Sequence, residues 1–357
     1  PYLHPLTGIS IREYSSAIKE EALQTLATFI GLLTAIQSKL PVFSALLENT
    51  DIHPTRKDFN IISAIIRKIL DIPELTPELL TTPLLNETLE EYRKVTEHGR
   101  KRDEIKAEIE NGFTKEVLKI NAGPMLAEWN RVSAQWFLPR YFGQRKIKKV
   151  IRPYALQPVK PETVQPLLHQ VIRYQEELDF TDRYAAKLPS LFGRFGRDEE
   201  WPIIDQIIHE VSSLHSLLLS YSKDVAKTSR IKQNLALQLT EGIRTFRDIH
   251  SHSLNELYQL VDTLTATEQR LSTTLGITVE TLYTNSADWI GIALQQAGIW
   301  KENLDKLKDW YQWLQSYNKL NELGLGFIAE EYKEKNIPTD LLTSSFRKSF
   351  YLSLIHI

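Results

Sequence analysis

The chain has no cysteine in 357 residues. That excludes disulfides and thiolate chemistry, and leaves a zinc ion only histidine and carboxylate ligands. Nothing matches the phosphate loop G-x-x-x-x-G-K-[ST], the G-x-S-x-G nucleophile elbow or the H-E-x-x-H zinc motif. Neighbouring carboxylates such as Glu176-Glu177 and Glu199-Glu200 fall at expected helix flanks or starts, where acids suit the helix dipole. No catalytic residue and no metal site is therefore expected. The chain begins at Pro1 with no basic segment leading into an apolar core, which reads as a fragment or processed product of a longer protein. Its longest uncharged run, Ala22 to Ser38, is shorter than the ~20 apolar residues a bilayer span needs, so no membrane partner is expected. Lack of cysteine fits a reducing, cytoplasmic setting.

With 42% apolar and 25% charged residues, the composition is that of a folded globular chain, long enough for about two domains. Helix signals dominate and no period-2 strand pattern stands out. Ser10 and Glu13 form a capping box before a long segment expected to stop ahead of Pro41. Thr55 and Asp58 open a second helix, Phe59 to Leu70, and Thr76-Pro77-Glu78 starts a short third one after Pro73. Residues 86–119 hold nine acids and eight bases, with no apolar side chain between Glu97 and Glu104. Such a helix is expected to project, with a solvated or hinged section near Gly99.

Ile207, Val211, Leu214, Leu218, Tyr221 and Val225 alternate four and three residues apart, and the pattern resumes at Leu257, Leu260, Leu264 and Leu271. That is a coiled-coil seam. If continuous, the stretch from Ser222 to Leu275 would span roughly 75 Å. Leu304, Leu307, Trp310, Leu314 and Tyr317 make one face of a later helix ending near Asn321–Gly324. Ile337-Pro338-Thr339-Asp340 restarts a helix toward the C-terminus. The expected fold is all-α: a helical bundle body from both chain ends, 1–83 and 300–357, with long helices and an antiparallel coiled-coil stalk, 84–299, inserted between them.

Several short patterns invite chemistry. Gly324-Leu-Gly326-Phe-Ile-Ala329 fits G-x-G-x-x-A but follows a helix rather than a strand, so it reads as a helix connection. Asp248, His252 and Glu256 share a helical face, yet no second His/carboxylate helix accompanies them; a solvated, charge-paired flank is the plainer reading. His209 and His215 do not share a face. Trp310, Trp313 and Tyr317 sit at core spacing, although such rings can also stack bases. Leu191–Arg197 reads as a flexible basic-aromatic loop.

The strongest local signal lies in residues 131–160. This stretch carries Arg131, Arg140, Arg145, Lys146, Lys148, Lys149, Arg152 and Lys160 and no acid, in a chain with 45 acids and 43 bases. By composition roughly four acids would be expected there. Trp129, Trp136, Phe137, Tyr141, Phe142 and Tyr154 are interleaved. On a helix started near Pro139, Arg145, Lys148, Lys149 and Arg152 form one stripe, while Ile147, Val150, Ile151 and Tyr154 can dock on the body. The candidate nucleic-acid residues are Trp136, Arg140, Tyr141, Arg145, Lys146, Lys148, Lys149 and Arg152. Four to six phosphate contacts would give a log K against log salt slope of about −4 to −5 on duplex. A solvated face and a membrane-surface helix stand as alternatives.

Three stretches carry a resemblance. They are His4-Pro-Leu-Thr-Gly-Ile-Ser-Ile-Arg-Glu-Tyr14, then Trp136-Phe-Leu-Pro-Arg-Tyr-Phe-Gly-Gln-Arg-Lys-Ile-Lys-Lys149. The third is Leu307-Lys-Asp-Trp-Tyr-Gln-Trp313 continuing through Asn321–Leu325 and Pro338 to Ser345-Phe-Arg-Lys-Ser-Phe350. Together they resemble the helical insertion of large bacterial superfamily 1 helicase-related proteins, which interrupts the first RecA-like ATPase domain. The resemblance covers most of the chain, and its motifs are structural. It implies an accessory domain without cofactor of its own, partnered by DNA and by the rest of a parent helicase that binds ATP and Mg²⁺. It also implies chain ends that lie close together. The other expectation is a coiled-coil protein-interaction or spacer module, with a protein partner on the stalk and no nucleic-acid contact.

Overall fold

The computed structural model describes residues 4–47, 54–278, 283 and 288–327. Among them the fold is all-α, without a β-strand. The helices are α1 (Ser16–Leu47), α2 (Asp58–Asp71), α3 (Pro77–Thr81), α4 (Leu85–Glu110), α5 (Ala122–Ser133), α6 (Phe137–Ile151) and α7 (Pro161–Asp182). They continue with α8 (Leu188–Arg197), α9 (Trp201–Ser222), α10 (Val225–Gln238), α11 (Ile243–Leu275), α12 (Trp289–Glu302) and α13 (Leu307–Glu322). The restart at 337–340 lies outside the described residues. Two compact units emerge: Pro1–Ala45, Thr50–Ser63 and His252–Ile357 form the first, and Leu46–Asn49 with Ala64–Ser251 the second.

In the first unit, α1 begins one turn later than the expected capping box. The cap is Ser15, whose Oγ accepts from the Ile18 N–H at 3.1 Å. Pro41 does not end this helix but lies inside it, at the cost of one backbone hydrogen bond. By length and composition α1 could cross a bilayer. Its inward stripe of Ala22, Leu26, Phe29, Leu33 and Ile36 is fully buried. The N-terminal loop is held by indole donors: Trp300 Nε1 donates to the Thr7 carbonyl at 3.0 Å and Trp310 Nε1 to that of Ile9 at 2.9 Å. On α2, Asp58 Oδ2 accepts from both the N–H and the hydroxyl of Thr55, each at 2.8 Å, as the sequence suggested.

The buried seam of α11 in this unit is Leu254, Leu257, Val261, Leu264, Glu268, Leu271 and Leu275, spaced three and four apart. Leu260, expected in the seam, lies beside it and is half-buried. The true phase is hidden in the sequence because Glu268 fills a seam position. Arg56 makes this tolerable: its Nε and Nη2 meet the two Glu268 oxygens at 2.7 and 2.6 Å. Tyr283 donates its hydroxyl to the same carboxylate. Burial opposes the Arg56 charge, but Glu268 and Tyr283 outweigh it and hold the guanidinium above its ordinary pKa.

The run from Ser222 to Leu275 is not one helix. Lys223 closes α9 in the left-handed conformation, at φ 56°, and Asp224 caps α10 by accepting from Lys227 N–H at 2.7 Å. Gly242, at φ 89°, separates α10 from α11. The heptad residues Ile207, Val211, Leu214 and Leu218 are buried, with α9 packed on α4, α8 and α10.

The apolar gap of α4 is also covered rather than solvated. Trp201, at the start of α9, lies flat against Gly99, where an added Cβ would stand 2.3 Å from Trp201 Cε2. The indole Nε1 donates to Asp103 Oδ2 at 2.8 Å, and the Arg102 guanidinium sits 5.3 Å over the ring while binding Glu199. A glycine and a ring of polar partners thus replace the missing apolar side chains. Leu191–Arg197, expected as a flexible loop, is part of α8, kinked at Gly193 (φ 57°). Leu191, Phe192 and Phe195 are buried there. Gly99→Ala should destabilise the protein by about 1–3 kcal/mol through overpacking. Gly123→Ala, with open space around its Cβ, should stay within about 0.5 kcal/mol. Urea denaturation of both variants separates these outcomes.

Candidate nucleic-acid interface

Residues 105–174 of the second unit build a core of their own beneath the basic segment. Ile105 and Ile109 of α4, Trp129 and Val132 of α5, Ile147 and Ile151 of α6, and Val164, Leu167, Leu168 and Val171 of α7 are its main members. Gly143 of α6 lets that helix lie close on α5: a Cβ there would meet Val132 Cγ1 at 2.6 Å. Beyond α6, Thr114 N–H donates to the Tyr154 carbonyl at 2.7 Å and Leu156 N–H to that of Gly112 at 3.0 Å. These bonds clamp the C-terminal end of α6 to the loop after α4. Gln175 closes the base of the subdomain by donating to the carbonyls of Leu118 and Ile120, both at 2.9 Å.

With Gly143, Ile147 and Ile151 inward, the opposite face of α6 must look out. Arg140, Arg145, Lys146, Lys149 and Arg152 are exposed and Lys148 is half-buried. Trp136 and Tyr141 are 68% and 51% exposed. All eight candidate residues therefore lie on one helix or at one of its two capping positions. Arg131 is the exception within the basic stretch. It forks onto Glu128 at 2.7 and 2.8 Å, and this pairing holds the Glu128 carboxyl below its ordinary pKa. Arg140, Arg145, Lys146, Lys148, Lys149, Arg152 and Lys160 form no ion pair among the described residues.

Val150 was expected to dock and does not; it is 48% exposed, because its position falls a quarter-turn from Ile151 and beyond the reach of α5 and α7. The expected binding set also omits three side chains that the fold displays beside Tyr141: Phe137, Leu138 and Phe142, exposed by 74%, 47% and 63%. Phe137 and Tyr141 rings stand 6.4 Å apart and 25° from parallel, with Phe142 edge-on to Tyr141. The available signal was the spacing of Leu138, Tyr141 and Phe142, which matches that of Arg145, Lys148 and Lys149 seven residues on.

The other candidates offer less. Glu256 forms an ion pair with Lys39 at 2.5 Å, and His252 Nε2 lies 3.5 Å from its other carboxylate oxygen. Among the described residues no three His or carboxylate side chains gather as a metal site. Gly324, at φ 72°, follows the end of α13, and Leu325 N–H returns to the Leu320 carbonyl at 2.8 Å. This is a helix terminus, so the described part of that glycine pattern does not fit a phosphate cradle. Trp310 belongs to the core as expected, but Trp313 is 45% exposed and stacks between Trp310 and Tyr317 at 4.8 and 5.1 Å.

The two faces of α6 should respond differently to truncation. Ile151→Ala should cost about 2–5 kcal/mol, since it opens a cavity in the 105–174 core. Lys149→Ala should change stability by less than about 0.5 kcal/mol. Circular dichroism through a urea titration measures both. No protein-family model, curated protein or solved structure matches this chain.

Proposed function

We propose that the chain is a non-catalytic accessory domain of an ATP-dependent superfamily 1 DNA helicase or translocase, and that it contacts nucleic acid through the outward face of α6. The observation that carries the contact is the exposed row of Arg145, Lys149 and Arg152 on the outward face of a helix anchored from behind, with Arg140 and Lys146 exposed on its flanks and none of the five in an ion pair among the described residues. Some cations elsewhere in the chain are neutralised by carboxylates, as Arg56, Lys68 and Arg102 are. A row of cations without acids produces a concentrated positive potential, and phosphates are the common complement. The helicase setting rests on the resemblance of the three stretches 4–14, 136–149 and 307–350. In that reading ATP and Mg²⁺ are bound by the rest of a cytoplasmic parent protein, and this domain adds grip on DNA.

The reading as a coiled-coil interaction or spacer module draws support from the heptads. However, the α9 seam residues Ile207, Val211, Leu214 and Leu218 are already buried within their own unit. Those four side chains are therefore not free for a partner helix.

Fluorescence anisotropy with labelled DNA tests the proposal. With about four phosphate contacts, affinity should fall roughly 10²-fold between about 50 and 200 mM salt. The R145E/K148E/K149E/R152E variant should lose binding at the lower salt. Salt-insensitive binding, no binding, or a variant that binds like the parent would refute the contact.

A further inference from the structure

We infer that the aromatic end of α6 receives unpaired bases, so that this face selects single-stranded nucleic acid over duplex. The inference rests on the proposed nucleic-acid contact and specifies its substrate. Leu138, Tyr141, Phe142, Arg145, Lys148, Lys149 and Arg152 follow one another three residues apart, with one single step in each half, and so occupy one face. That face is about 21 Å long at the rise of an α-helix. Its first half is aromatic and aliphatic, and its second half is basic. Trp136 and Phe137 extend the aromatic end, both more than two-thirds exposed.

The two halves ask for different chemistry from one partner. The cations suit a line of phosphates. The rings suit flat, apolar surfaces that are free to stack. A duplex supplies the phosphates but keeps its base faces closed within its own stack. An unpaired strand supplies both at once, and ring stacking tolerates any base because every base has a π-face. A membrane surface matches less well. A helix lying in a bilayer interface divides its apolar and basic residues around its circumference. In α6 they are divided along the axis, and the face opposite the cations is occupied by Gly143, Ile147 and Ile151 in the protein core.

The test compares the whole 357-residue chain with three probes: labelled oligothymidylate, a mixed-sequence DNA duplex, and vesicles of phosphatidylcholine with phosphatidylserine. The parent should bind the single strand more tightly than the duplex, with quenching of tryptophan fluorescence. W136A/Y141A/F142A should weaken single-strand binding by about tenfold or more, and leave duplex binding within about twofold. W136F/Y141F, which keeps the rings, should bind like the parent, and circular dichroism should show all variants equally helical. If the triple variant binds the single strand as the parent does, or the parent prefers duplex, the inference is overturned while the phosphate contact stands. If the parent binds neither DNA, the contact itself falls, whether or not it sediments with vesicles.

Discussion

The burial of Ile147 and Ile151 in the core of residues 105–174 fixes how α6 is rolled about its axis, and every surface property of that helix follows from the roll. Exposing the two side chains would cost roughly 1.5–3 kcal/mol each, and Gly143 lets α6 settle against Val132 with no side chain between. Because helical positions three and four apart share a face, one buried pair is enough to place Tyr141, Phe142, Arg145, Lys149 and Arg152 outward. The backbone bonds from Thr114 and Leu156 then hold the far end of α6, so the ridge is presented by a fixed element rather than by a loop.

Charge is distributed to match. Acids and bases are nearly equal in number over the chain, and two of its buried or half-buried cations are matched with carboxylates. Arg56 meets Glu268 inside a helical seam, and Arg102 bridges Asp103 and Glu199 beside Trp201. A lone charge in such a place would be costly, and these carboxylates offset that cost. On α6 no carboxylate takes that role. Its cations keep their field, which reaches roughly a Debye length of about 8–10 Å at ordinary salt.

Much of this was legible in the residues alone. The all-α class, the Thr55–Asp58 and Thr76 caps, the inward Ile147 and Ile151 and the outward basic stripe all follow from local spacing and capping chemistry. What escaped was set by contacts distant in sequence. Gly99 looks like a hinge until Trp201, about a hundred residues later, is laid against it. Glu268 disguises the α11 seam because its partner, Arg56, lies in another part of the chain. The break at Lys223–Asp224 depends on a left-handed lysine, which sequence does not advertise, and Pro41 stays inside α1 because that helix is held by its buried stripe. At the candidate site, Phe137 and Phe142 resemble core residues by type. Only the position of the 105–174 core shows that nothing covers them among the described residues.

Lysine footprinting by acetylation and mass spectrometry, with and without saturating oligothymidylate, tests most directly whether α6 is the nucleic-acid surface. Protection should appear at Lys146, Lys148 and Lys149, and not at Lys94 or Lys227, which lie on other helices of the same unit. Unchanged labelling of the three α6 lysines in the bound state, or protection elsewhere alone, would contradict the assignment.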